Sequence, residues 1–192
     1  MKATHELRSV PQAGSFQSLL LEENTLQVTY TNPEFHDDPE KGHRLTTTMF
    51  VPLPIENVFE FFSDANQLER ITPPRLSFKI LTPSIELREG ALLDYQLKLR
   101  GFPIKWRTEI CVWDPPNRFV DQQLRGPYHR WYHQHTFEST DGGTNVYDDV
   151  HYIVPLGKIV ERLFVRKELK GIFAYRQEQL QIIFNEQVAA RA

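Results

Sequence analysis

The chain has 192 residues, enough for one domain with a substantial core, and its 40% hydrophobic and 24% charged residues are ordinary for a globular protein. A net charge of −3 leaves no basic excess for a nucleic-acid footprint, and the single cysteine, Cys111, cannot make an internal disulfide. No apolar run approaches the roughly 20 residues that span a bilayer, and MKATHELRSVPQAGS lacks an apolar stretch of signal-peptide length, so a soluble, cytoplasmic protein without stable membrane insertion is expected.

Residues 1–44 differ in character from the rest of the chain and are expected to form an N-terminal extension. Within them SFQSLLLEENTLQVTYTN suits a short helix and a strand, with Leu26–Tyr30 as an edge strand. PEFHDDPEKGHR, polar and interrupted by proline and glycine, reads as a loop. Residues 45–192 carry the regular elements. Leu45–Val51 has strand composition. Pro54 then stands where the first turn of a helix tolerates it, and Ile55, Val58, Phe59 and Phe62 recur at helical spacing. A second short helix starts at Asp64-Ala65-Asn66 and is stopped by Thr72-Pro73-Pro74.

Four strands are then predicted at Ser77–Leu81, Ala91–Arg100, Ile104–Trp113 and Arg118–Arg125, separated by turn residues. In the third, Trp106, Thr108, Ile110 and Val112 share one face, and Arg107, Glu109, Cys111 and Trp113 the other. A hairpin follows from His129 to Pro155, turning at Gly142-Gly143. On its first strand Trp131, His133, His135 and Phe137 lie on one face, and on its return strand Val146, Asp148, Val150 and Tyr152 do. These are the more apolar sets and are expected to point inward, carrying two imidazoles and a carboxylate with them. After Pro155 the period changes. Ile159, Val160, Leu163, Phe164, Ile172, Phe173, Leu180 and Ile183 recur every three or four residues, which predicts one long helix over Lys158–Gln187 with Leu163, Phe164, Ile172 and Phe173 buried. Gly171 weakens that helix by up to about 1 kcal/mol relative to alanine.

A strand, two short helices, a run of antiparallel strands and a long helix make an α+β fold. Burial alone favours a curved antiparallel sheet wrapped around the C-terminal helix. This order is similar to the helix-grip arrangement of the START/Bet v 1-like (SRPBCC) superfamily. Pro54 with Val58 to Phe62, then Asp64, Asn66, Leu68 and Leu76, resembles that family's opening segment. GFPIKW, FVDQQLRGPYHRWYHQHTFE and DGGTNVYDDVHYIVPLG resemble a bacterial subgroup described as polyketide cyclase/dehydrase-like or coenzyme Q-binding START-like. The resemblance implies a cavity between sheet and helix that takes a hydrophobic small molecule such as a lipid, quinone or polyketide-like compound.

The inward sets gather Trp106, Thr108, Asp121, Gln123, Trp131, His133, His135, Asp148 and Tyr152 as candidate ligand-binding residues. They form either a mutually satisfied core network or a cavity wall, since buried polar groups need partners. His133 and His135 point the same way, and Asp121 or Asp148 could add an oxygen ligand for a metal. With no third histidine or cysteine placed beside them, no metal or other cofactor is expected. No nucleophile signature such as G-x-S-x-G occurs. Arg162, Arg166, Lys167 and Lys170 read as a solvated helix face. The leading expectation is therefore a non-catalytic binder or carrier, with any protein partner unknown. The alternative is a cyclase, dehydratase or hydrolase that uses His133 or His135 as acid or base, oriented by Asp148.

Overall fold

The computed structural model describes residues 27–38, 42–155 and 157–191. The short helix expected from SFQSLLLEEN lies outside the described residues. Strands β1 (Thr29–Tyr30), β2 (Glu34–Asp38) and β3 (Gly42–Val51) open the chain. Helices α1 (Ile55–Ser63) and α2 (Gln67–Arg70) follow, then β4 (Lys79–Ile80), β5 (Leu92–Leu99), β6 (Phe102–Asp114), β7 (Arg118–Arg125), β8 (Arg130–Thr140) and β9 (Gly143–Ile153). The strands form one curved, unclosed antiparallel sheet in the order β1-β3-β9-β8-β7-β6-β5-β4, with β2 also paired to β3. Its C-terminal helical segment is α3 (Gly157–Val160), a π-helical turn over Glu161–Val165, and α4 (Arg166–Ala189). This is the helix-grip arrangement, with the long helix packed on the sheet and α1 closing one end.

Three local departures from the sequence pattern have physical causes. Residues 34–38, expected as loop, form β2 against Gly42–Thr46. Charged residues are common on edge strands, where they block pairing with another chain, so polarity there did not exclude a strand. Val28, just before β1, is buried, and its N–H donates to Asn185 Oδ1 at 3.2 Å. In β6 the register slips between Ile110 and Val112, leaving Cys111 as an extra residue. Alternation inverts across such a bulge. Trp113, expected to face outward, therefore packs on Phe59 with ring centroids 5.3 Å apart and on Phe119 at 5.8 Å.

The third departure is the π turn. Its wider winding takes one more residue than an α turn and rotates the preceding apolar stripe off the sheet. Leu163 and Phe164, expected to be buried, are 60% and 45% exposed. Phe164 lies instead under the Arg100 guanidinium, 4.8 Å from its ring centroid. Glu161 turns inward in their place and is 1% exposed. It accepts from Tyr152 Oη at 2.8 Å and from Arg166 Nε at 3.0 Å and Nη2 at 3.1 Å, which satisfies a buried carboxylate. Arg166 also bonds Asp37. Beyond the turn Leu169, Phe173, Leu180, Ile183 and Phe184 are buried, while Ile172, expected to be buried, is only partly so because it borders the cavity.

Gly171 sits in α4 with open space around it. A Cβ there would meet nothing nearer than Arg75 Nη2 at 3.6 Å, an ordinary contact. Gly171→Ala is expected to raise stability by about 0.5–1 kcal/mol through helix propensity, measured as a rise in the urea midpoint at unchanged slope. A loss of stability would mean that the glycine serves a close approach.

Candidate functional site

Cross-strand register builds the site. Thr47, Asp148, His135 and Phe119 stand opposite one another in successive pairs across β3, β9, β8 and β7. The neighbouring row runs Leu45, Val150, His133, Asp121 and Ile110. Residues paired across a sheet share a face and come within contact distance, so the two rows put His133 and His135 between two carboxylates. Their rings lie 3.9 Å apart, centroid to centroid. His135 is also stacked on Phe119 at 4.3 Å.

Each imidazole presents one nitrogen to each aspartate. His133 Nε2 is 3.0 Å from Asp148 Oδ1, and its Nδ1 is 3.5 Å from Asp121 Oδ2. His135 Nδ1 lies 2.8 Å from Asp148 Oδ1, away from the direction an N–H would take, and its Nε2 is 3.5 Å from Asp121 Oδ2. The other oxygen of Asp148 accepts from Thr47 Oγ1 at 3.0 Å. An ionised carboxylate only accepts, so Nε2 of His133 carries the proton of that bond and its Nδ1 is left as an acceptor.

Burial sets the electrostatics, modified by neighbours. It pulls the pKa of His133 down, aided by the charge of His135. The same burial acts on His135, but the Asp148 carboxylate and the contacts with Asp121 outweigh it and its pKa is raised. Burial also opposes ionisation of Asp148, yet the positive field of His135 and the hydrogen bond from His133 hold its carboxyl well below the usual range.

These residues face a cavity of about 190 Å³ between the sheet, α1 and α4. Of the residues the sequence singled out, Trp106, Thr108, Asp121, Trp131, His133 and His135 line it. Trp106 and Trp131 meet edge to face at 5.6 Å, and Trp106 Nε1 donates to Thr108 Oγ1 at 3.0 Å. The other three stand behind the wall. Asp148 is the buried brace just described. Tyr152 is fully buried with its hydroxyl committed to Glu161, which, after burial, is the main reason its pKa is raised. Gln123 clamps the β7–β8 turn, its Nε2 donating to the Tyr128 carbonyl at 2.7 Å while its Oε1 accepts the Tyr128 N–H at 3.3 Å. A Cβ on Gly126 would lie 2.2 Å from that Oε1, so the clamp requires glycine there.

That clamp places Tyr128 in the cavity wall, 4.8 Å from Trp131, and Tyr95 stacks on Trp106 at 5.7 Å. Sequence reasoning did not select either tyrosine. The turn that positions Tyr128 has no periodicity, but Tyr95 was legible, since it alternates in phase with Leu97. Arg176 of α4 also lines the cavity, half-buried, with its guanidinium 5.4 Å from the Phe173 ring centroid. It forms no ion pair among the described residues.

An aromatic-walled chamber between a curved sheet and a long helix is the architecture of the α+β, Bet v 1-like helix-grip fold, a fold of the ligand-binding kind. The sequence profile of the family described as "Polyketide cyclase / dehydrase and lipid transport" matches residues 51–170, and the chain belongs to that family, within the SRPBCC group. No match was found among curated proteins. Among solved structures, protein Ms6760 from Mycobacterium smegmatis superposes with a TM-score of 0.62 at 19% identity, over 83% of this chain and 99% of its own. TTHA0849 from Thermus thermophilus gives 0.59 at 21% identity, over 78% and 99%. The allergen Ara h 8.0201 gives 0.53 at 16%, over 76% and 97%. At these identities the likeness is one of fold. No helix among the described residues is long and apolar enough to cross a membrane.

Proposed function

We propose that this protein binds and carries a compact, ring-containing apolar molecule whose single polar head is turned to Asp121, His133 and His135. The observation that carries this reading is the cavity itself, about 190 Å³, lined mainly by aromatic and aliphatic side chains with few polar groups, three of them together. A dry cavity of roughly 150 Å³ takes up benzene, so this one has room for one or two rings and not for a whole lipid. Asp121 and the free Nδ1 of His133 both accept hydrogen bonds, and a hydroxyl on the ring would donate to one of them. A quinol or an aromatic polyketide-like phenol has that chemistry.

The test compares 1-naphthol with naphthalene on metal-free protein by isothermal titration calorimetry. Naphthol should bind about 5–10-fold more tightly, the worth of one net hydrogen bond near 1 kcal/mol. Asp121→Leu combined with His133→Phe should abolish that preference while naphthalene still binds. Equal affinities in the wild-type protein, or an unchanged preference in the variant, would refute the assignment of the polar wall. A second reading, acid–base catalysis, is favoured by Asp148 standing behind both imidazoles, the placement that orients a catalytic histidine. Hydrolysis of 1-naphthyl acetate that His135→Gln abolishes without unfolding the protein would support it.

A further inference from the structure

The geometry points to a divalent transition-metal site at the polar wall of the cavity, with Asp121 Oδ2, His133 Nδ1 and His135 Nε2 as ligands. We infer a zinc-like ion held by three protein groups, its remaining position open to the cavity. The inference rests on the reading of this cavity as a binding site only for what fills that open position.

Asp121, His133 and His135 each offer a donor atom within 4.8 Å of the other two, and Asp121 Oδ2 is 3.5 Å from both His133 Nδ1 and His135 Nε2. Zinc bonds nitrogen and carboxylate oxygen at roughly 2.0–2.2 Å, and tetrahedral angles then put donor atoms about 3.3–3.5 Å apart. At 3.5 Å the carboxylate is too far for a good hydrogen bond to either imidazole, yet at the spacing that a shared ion imposes. Asp121 takes part in no hydrogen bond with another described side chain, although its own is only 19% exposed. Two nitrogens and one oxygen form a donor set that suits zinc or ferrous iron better than magnesium or calcium.

The second line of support lies behind the ligands. His133 Nε2 donates to Asp148 Oδ1 at 3.0 Å, and His135 Nδ1 lies 2.8 Å from the same oxygen without hydrogen-bond alignment. Asp148 is braced in turn by Thr47. Metal-bound histidines commonly have a carboxylate behind them in this way, which fixes the ring and raises its basicity. The other group with donors at suitable spacing, Asp37, His43 and Glu161, lacks this freedom. Its Glu161 is already neutralised by Arg166 and bonded to Tyr152, so an ion there would have to displace a guanidinium. Three ligands leave a four-coordinate ion one position, and here it faces an apolar chamber, where a ligand hydroxyl or carbonyl oxygen would occupy it.

The experiment uses tag-free full-length protein, stripped with chelator and titrated with Zn²⁺ in calorimetry and with Co²⁺ by visible absorption. One Zn²⁺ per chain should bind with submicromolar Kd, and Co²⁺ should give the intense bands of a four- or five-coordinate ion. Asp121→Asn and His135→Gln should each weaken binding at least 100-fold with the far-ultraviolet circular dichroism unchanged, whereas His43→Gln should leave it intact. No stoichiometric binding by the folded wild-type chain would overturn the inference. So would Asp121→Asn binding as tightly as wild type, or loss in His43→Gln alone. Naphthol binding is read on the metal-free protein, so a failed metal site and a failed ligand cavity give different results.

Discussion

Replacing Asp148 by alanine is expected to destabilise the protein by about 3–5 kcal/mol, the cost of removing one partner from a buried, hydrogen-bonded charge cluster. Asp148 is only 3% exposed and serves three side chains at once: Thr47, His133 and His135. Without it, two imidazoles 3.9 Å apart would keep Asp121 as their nearest carboxylate, at 3.5 Å. Thr47→Val removes a single neutral donor from the same carboxylate and should cost about 1–2 kcal/mol. Denaturant titration of the two variants checks the ranking. An Asp148→Ala loss below about 1 kcal/mol would show that the cluster is hydrated and not a buried network.

Phe184→Ala is the second large effect, with an expected loss of about 3–5 kcal/mol. Phe184 is fully buried on α4 and meets Phe61 at 5.0 Å and Phe62 at 6.2 Å between ring centroids. It does not line the cavity but packs behind Phe61 and Phe62, so truncation leaves a new void among packed side chains. Phe173, about three turns earlier on the same face of the helix, is 3% exposed but lines the chamber. Its ring already borders open space, and Phe173→Ala enlarges an existing cavity, so the loss should be smaller, about 3 kcal/mol or less. Equal losses for the two would mean that the chamber is filled by side chains in solution.

The alternation of strands made much of this site readable from the chain alone. Trp131, His133 and His135 share a face because a strand repeats every two residues, and the register then brings Asp121 and Asp148 beside them. What the period could not convey was depth. Asp148 and Tyr152 are on the correct face but stand behind the wall, because Thr47 and Glu161 reach them from β3 and the π turn. Leu163 and Phe164 were misplaced for a related reason: a helical wheel assumes 3.6 residues per turn, and the π turn breaks that count. Trp113 was misplaced by the extra residue at Cys111. Arg176 and Tyr128 escaped notice because a charge on a helix and an aromatic in a turn carry no periodic signal. Fold followed from pattern, while the site required local irregularities that pattern averages away.

A filled chamber should no longer take up a ligand. Leu97 and Ile172 both line the cavity and are only partly buried, so Leu97→Trp with Ile172→Phe adds bulk toward open space. Wild-type protein labelled with ¹⁵N should take up 1-naphthol saturably and one to one, with amide shifts concentrated at Thr108, Trp131 and His133. The filled variant should keep its fold and lose at least tenfold in affinity. Equal naphthol binding by both proteins, or shifts confined to residues outside the chamber, would contradict the claim that this cavity is the ligand site.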